Sequence, residues 1–493
     1  MEEKEKVVHF AKTVYHDREK EFGIKTDDRR RHIYIVGKTG MGKSCLLENM
    51  AIQDIQNGQG VGIVDPHGEL AEKLLDFVPK NRINDVIYFN PADLDYPIAF
   101  NVMEKVEFTH RHLVSAGLLG VFKKIWPDVW SARMEYILNN TILALLEYPD
   151  STLLHINRML ADKDFRKEVV NNLTDEVVKA FWLEEFERYH ERFQVEAIAP
   201  IQNKVGQFIS NPLIRNIVGQ QKSKINLREI IDSRKILIAR LPVGLIGETN
   251  VSLLGGLLVT KLQQAAMSRI DIPEENRQDF FLFIDEFQNF ATESFINILA
   301  EARKYRLNLT LANQYLEQLP ENLRAAILGT IGTLVIFRIG ARDAEVLKKE
   351  FEPFLNEQDL INLPKYNFYI KLMIDGVVSN PFLASTLAPR TEPLENYVEE
   401  IIALSRLKYS NRKEDVEMEI GKEFKKTNSL ENVGQAKSNS NEKRETILYE
   451  AVCSNCNKKI QVPFKPDPNR PVYCKNCLKK IRAKTSKPEV LKQ

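Results

Sequence analysis

At 493 residues the chain exceeds what one small hydrophobic core organises, and two to four domains are expected. Its 43% hydrophobic and 28% charged residues fit a globular protein and exclude a disordered or fibrous one. The formal net charge of +1 points to no particular partner. No apolar run approaches the roughly 20 residues that a membrane-crossing helix needs. The longest, LVSAGLLGV and VSLLGGLLV, read as buried helix. The opening MEEKEKVVHF lacks the apolar core of a secretion signal, so the expected location is the cytoplasm.

Residues 1–31 form a charged N-terminal segment ahead of the first strong strand. HIYIVG, VGIVDP and VIYFNP then alternate with helical stretches, over 32–104, which predicts an α/β fold with parallel strands. Residues 105–230 change character. RMEYILNNTILALLEY and LTDEVVKAFWLEEFERYHERF carry helix-period patterns, and the segment is expected to be an all-α insert. Strand patterns return over 231–404 as KILIARLP, FFLFIDE, LNLTLAN, TLVIFRI and NFYIKLMID, so the sheet draws on both sides of the insert. Residues 405–445 are polar and read as a linker, and 446–493 hold a cysteine module and a basic tail.

GKTGMGKS, comprising Gly37, Lys38, Thr39, Gly40, Met41, Gly42, Lys43 and Ser44, fits the phosphate-loop pattern G-x-x-x-x-G-K-[ST] at every fixed position. It follows a strand and opens a helix, as that pattern requires. Glycines let backbone N–H groups turn toward phosphates, and a helix N-terminus favours the anion. Lys43 is suited to the β- and γ-phosphates, and the Ser44 hydroxyl to Mg²⁺. Nothing in folding alone asks for a lysine and a serine there. ATP is the expected nucleotide, since no N-K-x-D base-reading sequence is present; the nearest string, NKVG at Asn203, lacks the acid.

FFLFIDEF is an apolar strand ending in Asp285 and Glu286. A strand can end in acids simply by reaching solvent. Downstream of a phosphate loop, the pair reads instead as a Mg²⁺-shell ligand, Asp285, and a base that polarises the attacking water, Glu286. Gln314 ends the next strand, where a polar side chain can touch the γ-phosphate or the water.

Cys453-x-x-Cys456 and Cys474-x-x-Cys477 lie 17 residues apart, the spacing of a zinc ribbon in which tight knuckles aim four thiolates at Zn²⁺. Redox-active thiols are the alternative. After Cys456 eleven Lys and Arg face only Asp467 and Glu489, so the tail is either a phosphate-contacting or a simply solvated end.

GKTGMGKS, VGIVDPHGEL, the long helical insert and FFLFIDEF resemble the FtsK/HerA-type motor ATPases, most closely the coupling proteins of bacterial conjugation and type IV secretion. The resemblance runs from about His32 to Pro389, with Val102 of PIAFNVME standing where a proline is common. It implies a RecA-like motor with an all-α insert, a homo-hexameric ring and DNA as the moved substrate. It also implies an arginine finger that acts on the neighbouring subunit's ATP, and Arg303 in AEARKYRLNL matches that position, with Arg338 and Arg342 as second candidates. Coupling proteins usually begin with membrane-spanning helices, and this sequence offers none. Docking on a separate membrane partner at the inner face of the membrane is then expected, or a HerA-like DNA-processing role without secretion. A zinc-ribbon nucleic-acid-binding nucleotide switch is a third reading.

Overall fold

The apolar runs become the central strands of one large sheet in the computed structural model, which describes residues 7–485 apart from 16–17, 105, 294, 392, 394, 424–448 and 468–469. In chain order these strands are β1 (Val7–Tyr15), β2 (Arg18–Lys25), β3 (Ile33–Val36), β4 (Gly60–Asp65), β5 (Val86–Phe89), β6 (Ile236–Arg240), β7 (Phe280–Ile284), β8 (Leu307–Asn313), β9 (Thr333–Ile336) and β10 (Asn367–Lys371). A short separate hairpin, β11 (Met373–Ile374) and β12 (Val377–Val378), precedes the last sheet strand, β13 (Phe382–Thr386). The spatial order is β2-β1-β13-β10-β9-β3-β8-β7-β4-β6-β5. From β9 to β5 every neighbouring pair is parallel, and β10, β13, β1 and β2 extend the sheet antiparallel. One strand, β8, separates the phosphate-loop strand β3 from the acid strand β7, which is the RecA-like arrangement.

Successive side chains of a strand face opposite sides, and both sides here are buried. Ile33 and Ile35 join a core with Leu46, Leu47 and Met50 of the phosphate-loop helix (Lys43–Gln56). Tyr34 and Val36 join the other core, which continues into the insert through Val121, Phe122 and Leu138. Among the described residues every regular element between β5 and β6 is helical. The insert helix Arg111–Ile125 lies against the helix Glu248–Met267. The contact needs Gly117, since a Cβ there would stand 2.5 Å from Cγ2 of Thr260.

The first 31 residues are more than a charged lead-in. Their polar alternation (REKEFGIK) forms the edge strand β2, paired along its length with β1. Charges suit an exposed edge because they discourage pairing with another chain. Arg29 from the same segment is buried and forms a two-pronged ion pair with Asp54, Nη1 to Oδ1 at 2.8 Å and Nη2 to Oδ2 at 2.7 Å. The polar stretch beginning at 405 also starts as structure. The helix Val398–Tyr409 packs beside β5, where the Ser405 hydroxyl accepts from the Tyr88 N–H, and a further helix over 413–423 buries Val416 and Ile420 against Leu154. The rest of the expected linker lies outside the described residues.

A second compact unit covers 421–493. Its described part is a hairpin, β14 (Tyr449–Val452) and β15 (Lys459–Val462), followed by the helix Lys475–Thr485. No helix among the described residues is long and apolar enough to cross a membrane.

Candidate functional site

The phosphate loop leaves β3 and turns through Gly40 (φ 75°) and Gly42 (φ 116°), a left-handed conformation that a side chain resists. Gly37 is required for a different reason: a Cβ would lie 2.4 Å from that of Phe337. Lys38, Thr39, Gly40 and Ser44 are exposed, so the rim of the loop and the start of its helix face solvent. Lys43 is buried and folds back, donating to the carbonyls of Gly37 (2.6 Å) and Lys38 (3.4 Å). Burial lowers its pKa, while the charges of Glu286 and Asp285 oppose that shift.

Asp285 and Glu286 follow the last residue of β7. Asp285 is 5% exposed, and its pKa is pushed up to about 6, first by burial, then by the charges of Glu286 and Asp65. Such an accumulation of negative charge is relieved by a cation, and carboxylate and hydroxyl oxygens suit Mg²⁺. Asp285 and the exposed Ser44 hydroxyl are therefore fitting donors. Asp65, at the end of β4, does separate work: its carboxylate accepts from the N–H groups of His67 and Ala71, both at 2.9 Å, and shapes the turn after the strand.

Glu286 sits at φ 46° and ψ 51°, a left-handed conformation rare for a side-chain-bearing residue and held only where surroundings dictate it. Both its oxygens are taken by amides. Gln314 Nε2 donates to Oε1 at 2.9 Å, and Gln288 Nε2 donates to Oε2 at 2.7 Å. Asn313 Nδ2 in turn donates to Gln288 Oε1 at 2.9 Å. Because β8 lies between β3 and β7, Asn313 and Gln314 emerge beside both the loop and the acids. The residues read from sequence as one site are thus brought together, apart from Arg303. Sequence reading missed Gln288, two positions beyond Glu286; its polar type in FFLFIDEFQNF was the available signal.

Arg303 is exposed in the 3₁₀ turn Ala302–Tyr305, just before β8. The loop lies at the opposite end of the parallel strands. At ~3.3 Å per residue the seven residues of β8 put about 20 Å between the two. Arg338 follows β9 beside its own phosphate loop, where its carbonyl accepts from Lys38 N–H at 2.9 Å. Arg342 is 81% exposed at its side chain and within 3.4 Å of Glu317.

In the second unit Cys453, Cys456, Cys474 and Cys477 hold their sulfurs within 4.8 Å of one another, and Cys456 and Cys474 are 3.8 Å apart. Tetrahedral zinc at ~2.3 Å from each sulfur requires sulfur separations of about 3.8 Å, so the set fits. The first pair sits at the β14–β15 turn. The second pair lies at the start of the helix Lys475–Thr485 and not on a second knuckle: Cys474 precedes it and Cys477 stands in its first turn.

A family model described as the type IV secretion-system coupling protein DNA-binding domain matches residues 21–367. A second, described as a probable treble clef zinc finger, matches residues 446–482, in keeping with a hairpin followed by a ligand-bearing helix. Among solved structures, the bacterial conjugative coupling protein TrwBΔN70 in its unbound form is 16% identical, with a TM-score of 0.54 over 75% of this chain and 88% of that one. TrwB in complex with ADP and Mg²⁺ aligns with a TM-score of 0.54 at 16% identity, over 76% and 89%. VirB4 of Thermoanaerobacter pseudethanolicus aligns with a TM-score of 0.50 at 14% identity, over 79% and 97%. At these identities the likeness is one of fold. No curated protein sequence matches the chain.

Proposed function

The chain belongs to the family of type IV secretion-system coupling protein DNA-binding domains, and on that premise we propose that it is an ATP-driven DNA-translocating motor, the coupling ATPase of a conjugative or type IV secretion system. The observation that carries the reading is Glu286, in a left-handed conformation with one carboxylate oxygen bonded by Gln314 just past β8 and the other by Gln288 in the turn after β7, beside an intact phosphate loop. A structural carboxylate has no need of that arrangement. A base that must aim at one water does.

Residues 37–44 cradle the phosphates of ATP, with Lys43 exchanging its contact to the Gly37 carbonyl for the β- and γ-phosphates. Ser44 and Asp285 hold Mg²⁺, which supplies charge neutralisation at the phosphate oxygens when bound. Glu286 takes the proton of the attacking water, and Gln314 fixes the glutamate from the neighbouring strand. Arg303 lies too far from its own loop to reach it, which supports action on the next subunit of a homo-hexameric ring. The four cysteines hold a structural Zn²⁺.

The test is ATP turnover with and without DNA at low salt, for the wild type and Glu286→Gln. DNA is expected to raise wild-type turnover several-fold, and the mutant to be slower by roughly 100-fold while still binding ATP. Wild-type turnover indifferent to DNA contradicts the motor reading.

A further inference from the structure

The grip on Glu286 does not end with the amide of Gln288. The backbone carbonyl of Gln288 accepts from Nζ of Lys124 at 2.5 Å. Lys124 belongs to the insert, next to last in the helix Arg111–Ile125. No other donor to this carbonyl is found among the described residues. The preceding residue, Lys123, pairs with Glu293 at 3.1 Å, so the end of one insert helix holds both ends of the segment 288–293.

We propose that Gln288 and Lys124 are positioning residues for hydrolysis: Gln288 holds the Glu286 carboxylate, and Lys124 carries that hold into the helical insert. The inference rests on the reading of Glu286 as the base.

Three observations argue for it. The left-handed backbone of Glu286 persists only if its neighbours fix it, and the short 3₁₀ turn Phe287–Asn289 that follows is where they do so. Lys124 is half-buried with no carboxylate partner among the described residues, and burial brings its pKa down to about 8. An ammonium withdrawn from water without a counter-charge is a cost that folding alone does not reward. Finally, a crevice of about 520 Å³, lined by Lys124, Gln288, Asn289, Glu248 and Gln318, separates the insert from the hydrolysis segment at this point. The lysine reaches the Gln288 carbonyl at the edge of this crevice, so a movement of the insert is felt at the carbonyl.

Neither residue belongs to the phosphate loop, so kcat and KM should separate. Gln288→Leu is expected to lower kcat about tenfold, the scale of one hydrogen bond to a charged group, with KM for ATP unchanged within twofold. Gln288→Asn, a smaller change that shortens the reach of the amide, should behave alike. Lys124→Met should lower kcat by about three- to tenfold, and Lys124→Arg, which keeps charge and donors, should restore it. The decisive arm is a double-mutant cycle on the full chain. In a Glu286→Gln background, Gln288→Leu should cost nothing further, because the carboxylate it positions is gone. Wild-type kcat in folded Gln288 variants, an undiminished loss in the Glu286→Gln background, or a Lys124→Met defect that arginine does not restore overturns the inference. Full turnover by Glu286→Gln itself overturns the reading of Glu286, and this inference with it.

Discussion

Two arginines near the same end of the sheet do opposite things. Arg29 is 1% exposed at its side chain, clamped to Asp54 by two hydrogen bonds and laid over the Phe281 ring at 3.8 Å. Arg303 is exposed and has no ion pair among the described residues. A buried pair of this kind is costly to break and locks the N-terminal segment to the phosphate-loop helix. An arginine left in solvent contributes little to the fold and keeps its five donors for something outside the subunit. Arg29 thus holds the chain together, whereas Arg303 adds no ion pair to the fold among the described residues.

That contrast sharpens into measurements. The largest effect expected is on turnover in Arg303→Ala: a loss on the order of 10³-fold or more, the scale of an arginine finger, with thermal stability unchanged within ~0.5 kcal/mol. A parallel loss of stability and activity would make Arg303 a second Arg29. Next in size is Arg29→Ala, which strands Asp54 in the core and is expected to cost about 3–5 kcal/mol of stability, measured by chemical denaturation. Turnover per folded molecule should stay near wild type.

A smaller effect belongs to Asp285. Its pKa is raised to about 6 in the folded chain, against about 4 in an unfolded one. The folded state therefore binds the proton more tightly. The stability this gives is present at low pH and lost as pH rises through about 6. At neutral pH the ionised carboxylate is a burden, and Asp285→Asn should make the nucleotide-free protein more stable by about 1–3 kcal/mol at pH 8, with the gain vanishing below about pH 4. Turnover should be lost at the same time. A mutant that is less stable at pH 8 contradicts the assignment of that charge cluster.

The sequence made the phosphate loop and the acid pair legible because each is a contiguous string whose chemistry is local. Gln314 was legible for the same reason, as the polar end of an apolar strand. The strand order was not. That β8 separates β3 from β7 depends on its pairing with β3, a segment far away in sequence (Ile33 stands opposite Thr310), and such a pairing leaves no local pattern. The N-terminal hairpin escaped because an edge strand carries charges on purpose, and REKEFGIK reads as a solvated segment. The start of the expected linker escaped likewise: Val416 and Ile420 are isolated apolar residues in a polar stretch, yet they find Leu154. Cysteine spacing gave the zinc set but not its scaffold, since a helix and a knuckle present a C-x-x-C pair equally well. Gln288 and Lys124 are distant in sequence and meet only in the fold.

On the proposed mechanism each ATP is bound by one subunit's Lys43 and completed by another's Arg303. This is tested most directly by mixing Lys43→Ala and Arg303→Ala proteins and measuring ATP hydrolysis with DNA present. Each alone should be inactive. Together they should recover part of the wild-type rate, wherever an intact arginine meets an intact loop. If mixed assemblies form and stay inactive, or if Arg303→Ala is fully active alone, the account is contradicted.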